Sequence, residues 1–344
     1  SATKMSNQLS ALPVGSTILI TGVNGYIGSH IANMLLALGF RVRGTVRAPK
    51  PWLNDMFTAK YGEGVFETVL LDRFDDIPTL EKIMDGTSAV LHAATDVTFG
   101  SDPEAIIPWV IKASENMLEA AASKPTIKRF VLTSSSTAVV IPVADKEGVR
   151  VDEGTFNDSA VAAAWDPATP DDFKFYAVYA ASKTQGEKAA WEWIKKNKPN
   201  FVFNTVLPSF NTGEILHPEI QGSTMGWVRL LLKGDKFLFS RFPPEYSVDV
   251  KDTARLHVIG ILAPEVQSRR LFAWGRAVNL TDIITTLKTL RPHNNLIPDP
   301  PETDGRDLTE VVPAAVAVRL LKKYFGQDGW TPFSTSLAEG IRDL

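Results

Sequence analysis

The chain contains no cysteine, which excludes disulfides, thiolate nucleophiles and zinc–thiolate sites. That composition suits a reducing compartment, and a cytoplasmic protein is expected. Histidine is scarce: His30, His92, His217, His257 and His293 are scattered without metal-ligand spacing, so no metal is expected. No apolar run approaches a membrane span, and residues 1–14 lack the basic and apolar regions of a signal peptide. They are expected to form a loose N-terminal tail. A net charge of −3 disfavours nucleic acid as a partner. The remaining absence is local. The first acidic residue of the chain is Asp55.

What is present before Asp55 makes that absence informative. Ser16 to Thr21 reads as a buried strand that runs into Gly22-Val-Asn24-Gly25-Tyr26-Ile27-Gly28 and an apolar-periodic helix ending before Gly39. Glycines at such a corner permit a tight turn and let backbone N–H groups approach a pyrophosphate at the helix start. Thr21, Gly22, Asn24, Gly25, Tyr26, Ile27 and Gly28 are therefore candidate dinucleotide contacts. The next strand, Arg41 to Arg47, ends where an acid would bind the 2′-hydroxyl of NAD. It carries Arg43 and Arg47 instead, whose planar donors suit a 2′-phosphate. NADP(H) is the expected cofactor.

Strands are expected at 66–71, 89–92, 129–133 and 201–207, separated by helices at about 77–84, 105–122 and 179–196. This alternation predicts an α/β Rossmann fold, a doubly wound parallel sheet in the order 3-2-1-4-5-6, with right-handed crossovers. Beyond Pro208 the alternation breaks down and prolines cluster. The expected division is a Rossmann domain over 15–208 and a smaller C-terminal substrate-binding cap over 209–344. Segments at about 247–275 are expected to return to the main sheet.

A second constellation lies in Tyr179-Ala-Ala-Ser-Lys183. Residues four apart share a helix face, so a phenol and an ammonium can act on one ligand. Hydride delivery to a carbonyl requires a proton, and a nearby ammonium makes a tyrosine a better acid. Sheets of this kind place chemistry at strand carboxyl ends, and the strand 129–133 ends in Thr133-Ser134-Ser135-Ser136-Thr137. One of those hydroxyls can stabilise charge on the reacting oxygen.

The glycine turn, Val42-Arg43-Gly-Thr-Val-Arg47, His92-Ala93-Ala94, Phe130-Val-Leu-Thr-Ser-Ser135 and Tyr179-x-x-Ser-Lys183 together resemble the extended short-chain dehydrogenase/reductases. The likeness is to the branch of dihydroflavonol reductases, cinnamoyl-CoA reductases and fungal NADPH-dependent carbonyl reductases, including the yeast aldehyde reductase II type. It covers nearly the whole chain. The resemblance implies Ser135, Tyr179 and Lys183 as catalytic residues. It implies Asp72 near the adenine, Thr95 near the ribose and phosphates, Pro208 and Ser209 beside the nicotinamide, and Ala93, Ala94 and Thr133 as further cofactor contacts. Asn116 loosely matches a helix asparagine that supports the lysine in relatives.

Substrate contacts are expected from Phe99, Trp227, Phe242 and Tyr246 as apolar walls and Thr137, Asn211 and Glu245 as polar accents, beside Ser135 and Tyr179. The expected substrate is a small-molecule ketone or aldehyde. Two alternatives remain open: a sugar-nucleotide epimerase or dehydratase, and a non-catalytic NADP-sensing protein. The sequence leaves the oligomeric state undetermined.

Overall fold

The computed structural model describes residues 10–94 and 100–344. Its first half alternates strand and helix: β1 (Thr17–Thr21), α1 (Tyr26–Ala37), β2 (Arg41–Val46), α2 (Pro51–Tyr61), β3 (Phe66–Leu70), α3 (Ile77–Ile83), β4 (Ala89–His92), α4 (Pro103–Ala122) and β5 (Arg129–Thr133). There follow β6 (Arg150–Val151), α5 (Asp158–Trp165), α6 (Asp171–Asn197), β7 (Val202–Pro208), β8 (Phe210–Thr212), α7 (Ser223–Leu230), β9 (Glu245–Asp249) and α8 (Val250–Leu262). The chain ends with β10 (Arg270–Ala273), β11 (Arg276–Val278), α9 (Leu280–Leu290), β12 (Glu310–Val311), α10 (Ala314–Phe325) and α11 (Phe333–Gly340).

Seven strands form one parallel sheet in the order β10-β7-β5-β4-β1-β2-β3. The expected six-strand order is observed, extended by β10 beside β7. Strands such as Thr-Ile-Leu-Ile-Thr are apolar on both sides because both faces are covered. Ile18, Leu19 and Ile20 have no exposed surface. Leu19, Val90, Phe130 and Phe203 pack beneath α4 and α6, whereas Ile18, Ile20, Val42 and Val131 meet α1, α8 and α10.

The cap is smaller than the C-terminal third. It consists of the β8, β9 and β11 sheet with α7, α9 and α11, around Phe210, Met225, Ile283 and Leu337. Helix α8 and strand β10 pack into the Rossmann layers. So does α10, which packs Leu320 and Leu321 into the main core beyond the expected returning segment. The described end of the N-terminal stretch is not loose. Ala11 donates its N–H to the Leu262 carbonyl at 2.6 Å, and Leu12 is buried in the core.

Helix α6 starts eight residues earlier than expected. Pro170 sets its entry, and Asp171 and Asp172 lie where a helix N-terminus favours negative charge. Tyr179 therefore lies in the helix interior. No helix among the described residues is long and apolar enough to cross a membrane.

Candidate functional site

The first glycine turn is built as its sequence implies. Gly22 has φ +65°, the left-handed region, and a Cβ there would meet Ala94 Cα at 3.0 Å. A Cβ on Gly28 would lie 2.4 Å from the Gly22 carbonyl oxygen, so the third glycine allows α1 to start against the turn. Gly25 caps α1 without any side-chain hydrogen bond, and the first turn carries no acid. Thus the helix start keeps backbone donors and a positive dipole end for an anion. Val23 packs against Gly44, and Asn24 and Ile27 lie along the same turn, partly buried.

Two residues of this group serve the scaffold with their side chains. The Tyr26 hydroxyl donates to the Gly213 carbonyl at 2.7 Å, and its ring joins the cap core, so only its backbone can face a phosphate. Thr21 accepts the Ala94 N–H at 3.0 Å and shares a 2.7 Å hydrogen bond with His92 Nδ1, tying β1 to the end of β4. Ala93 continues that strand end. Thr95 and Phe99 lie outside the described residues.

At the end of β2 the two arginines separate. Arg43 lies opposite Glu67 in the strand register and donates to it at 2.6 Å, with further bonds to the carbonyls of Ile83 and Asp85 at 2.7 Å. Its Nε and Nη1 are thereby held against β3 and the end of α3, while Nη2 makes no hydrogen bond among the described residues. Arg47 lies exposed just past the strand, and no carboxylate among the described residues pairs with it. Lys50 is a residue that the sequence pattern does not single out. It immediately precedes α2, three residues after Arg47, and also has no acidic partner among the described residues. Asp72 is exposed just after β3.

The hydroxyl run after β5 is ordered by Ser135, which caps the short turn 136–138. Thr137 donates both its N–H and its hydroxyl to Ser135 Oγ, at 3.2 and 3.0 Å. Ser135 also hydrogen-bonds Tyr179. Since its oxygen already accepts two bonds, its own proton is the one left to point at the phenol. Burial pushes the Tyr179 phenol above its ordinary value, Ser135 opposes that, and the charge of Glu245 adds to it. Lys183 lies one turn further along α6, and burial lowers its ammonium to about 8. Beneath it, His92 is held neutral to about 4 by burial, reinforced by the Lys183 charge. Asn116 instead donates to the Phe74 carbonyl at 2.8 Å.

Several expected contacts have structural posts. The Thr133 hydroxyl is paired with His257 Nε2 at 2.7 Å, and Ser209 donates to the Ala273 carbonyl at 3.0 Å. Pro208 is buried at the end of β7. Asn211 accepts from Thr253 at 2.6 Å and donates to the Ser209 carbonyl at 3.3 Å, which fixes the loop after β7. The Tyr246 hydroxyl donates to the Thr309 carbonyl at 2.8 Å, and its ring, expected as an apolar wall, packs on Trp274. Phe242 is buried edge-on to Phe210 in the cap core, at 4.8 Å between ring centroids. Trp227 packs on Phe237 and remains part-exposed. Glu245, the neighbour of Tyr246 on β9, faces the tyrosines: its charge acts on both Tyr176 and Tyr179. Burial and the nearby Asp307 raise its carboxyl to about 8.

A parallel sheet, a glycine turn and a Ser–Tyr–Lys group at the carboxyl edge define a Rossmann protein of the short-chain dehydrogenase/reductase class. Residues 18–219 match the NAD dependent epimerase/dehydratase family, and the chain belongs to it. It is 43% identical over 333 residues to the ketoreductase adrE of Penicillium rubens, covering 96% of this chain and 97% of that protein. It is 35% identical to aldehyde reductase 2 of Sporidiobolus salmonicolor, covering 97% and 96%. The fold also resembles Gre2 of Candida albicans, whose structure is of an NADPH complex. The TM-score is 0.78 at 22% identity, over 95% of this chain and 98% of the other.

Proposed function

We propose that this protein reduces a ketone or aldehyde to an alcohol with NADPH, using Tyr179 as proton donor. The carrying observation is the Ser135–Tyr179 hydrogen bond at the carboxyl edge of the sheet, with Lys183 one helical turn away. The names of the two similar proteins above, a ketoreductase and an aldehyde reductase, support the reading.

The residues present fit NADP(H). The uncapped start of α1 and the close glycine contacts suit a pyrophosphate. Arg47 and Lys50 suit a 2′-phosphate, and the lack of any acid on β2 disfavours NAD. The bound cofactor supplies the hydride. With a carbonyl oxygen seated between the two side chains, Ser135 would turn its hydrogen bond from Tyr179 to that oxygen, and Tyr179 would give its proton to it as negative charge develops there. Lys183 would favour the phenolate left behind and hold the nicotinamide ribose. A sugar-nucleotide epimerase would instead regenerate its cofactor in each cycle and leave free NADPH unconsumed.

The test is NADPH absorbance on adding an activated ketone or aldehyde. The wild type should consume NADPH, and Tyr179→Phe should bind it with little turnover. A Tyr179→Phe enzyme retaining most of the wild-type rate would refute the proton-donor role.

A further inference from the structure

Glu187 lies on α6 one turn beyond Lys183 and two beyond Tyr179, and it is 1% exposed. Its Oε1 accepts from Ser134 Oγ at 3.0 Å and Arg270 Nη2 at 2.9 Å. Its Oε2 accepts from Thr205 Oγ1 at 2.8 Å, Trp191 Nε1 at 2.9 Å and Arg270 Nε at 2.8 Å. A carboxylate offers about four lone-pair sites, so this one is saturated. Arg270 is also buried, gives its Nη1 to the carbonyls of Glu153 and Thr155 at 2.8 and 2.7 Å, and lies 3.9 Å from the Phe156 ring. A fork-to-fork ion pair with every donor placed is the geometry in which buried charge is tolerated.

Position gives this cluster its meaning. It joins α6 to β5, β7 and β10 directly beneath the edge where Ser135, Tyr179 and Lys183 meet. Consecutive residues, Ser134 and Ser135, each bond α6, one to Glu187 and the other to Tyr179. Those attachment points are eight residues apart, roughly 12 Å along the helix axis. Two tethers so separated fix the orientation of the strand end against the helix, where one would leave a rotation free.

We propose that Glu187, braced by Arg270, is a positioning residue that sets Ser135 against Tyr179 through Ser134. The inference rests on the proposed carbonyl reduction, and it adds to it a residue that touches neither substrate nor cofactor.

Glu187→Gln leaves the Arg270 charge buried without its counterion and can fail to fold. Ser134→Ala deletes one tether and keeps the ion pair. Ser134→Ala should lower kcat roughly tenfold or more, as misplacement of reacting groups does, with KM and NADPH affinity within about twofold of wild type. The primary isotope effect with 4-deuterated NADPH should rise, because hydride transfer becomes slower relative to other steps. A crystal structure of the variant should have a lengthened Ser135–Tyr179 contact. Unchanged kcat would overturn the proposal. So would a loss of kcat that follows melting temperature and NADPH affinity with no change in isotope effect. Should the wild type reduce no carbonyl compound, the reading of the reaction fails, and the crystal structure decides positioning alone. A lengthened contact then supports it, and an unaltered one overturns it.

Discussion

Thr137 donates both its hydroxyl and its backbone N–H to Ser135 Oγ, so the serine proton has one direction left to point. That direction is toward Tyr179. Thr137, expected to meet substrate, uses its hydroxyl to orient Ser135. Ser135→Ala should lower kcat by about two orders of magnitude, the usual effect of losing a donor to a developing oxyanion. Thr137→Val removes one neutral hydrogen bond and should cost only about fivefold. Steady-state rates of both variants with one ketone check the ranking, and a more damaging Thr137→Val would reverse the assignment.

Cofactor choice should depend more on Arg47 and Lys50 than on Arg43, whose Nε and Nη1 are held by Glu67, Ile83 and Asp85. Arg47→Ala should weaken NADPH binding by about 2 kcal/mol, a charge-assisted contact, and leave NADH binding nearly unchanged. Lys50→Ala should act in the same direction. Fluorescence titration of both cofactors against all three variants is the check. An Arg43→Ala protein that loses NADPH preference while Arg47→Ala keeps it would reverse the roles.

Glu245 gives the site a pH signature. Burial raises the Tyr179 phenol, and a negative Glu245 raises it further by opposing a second negative charge. Glu245→Gln removes that opposition, so the Tyr179 phenol should ionise at lower pH. Reduction needs the phenol protonated. The alkaline limb of kcat/KM for reduction should therefore move toward lower pH in Glu245→Gln. An unmoved limb, with the variant folded, would place the carboxylate's influence elsewhere.

Buried histidines should make the fold acid-sensitive. Burial lowers His257 to about 4, below its ordinary 6.5, while its Nδ1–H donates to the Thr253 carbonyl at 2.8 Å. The unfolded chain then binds the proton first, so this contribution is complete above pH 6.5 and declines as pH falls toward 4. Between those limits the decline approaches about 1.4 kcal/mol for each step of one in pH. His257→Gln should be less stable than wild type at pH 7, and the gap should narrow by pH 4.5. Denaturant unfolding at both values measures it, and a constant gap would mean that His257 does not titrate between the two states.

Locally encoded features are legible in the sequence. The glycine turn, the strand–helix alternation and the i, i+4 spacing of Tyr179 and Lys183 each depend on neighbours along the chain, and the structure contains them. The apolar pattern alone starts α6 too late, because Phe175 and Tyr176 interrupt a clean amphipathic stripe. Pro170-Asp171-Asp172 is the local signal for its true start.

What tertiary structure alone decided is where the second partner of each polar group lies. Arg43 and Arg47 are four apart along one extended segment and look equivalent until the β2–β3 register sets Glu67 opposite Arg43. The hydroxyls of Tyr26 and Tyr246 find the carbonyls of Gly213 and Thr309 far along the chain, partners that no local pattern announces. Glu187 carries no local signal at all. Its role comes from Ser134, Thr205 and Arg270, which approach from three strands. Periodicity reports which face of an element is buried, whereas a buried hydrogen-bond network is specified by residues that become neighbours only when the sheet assembles.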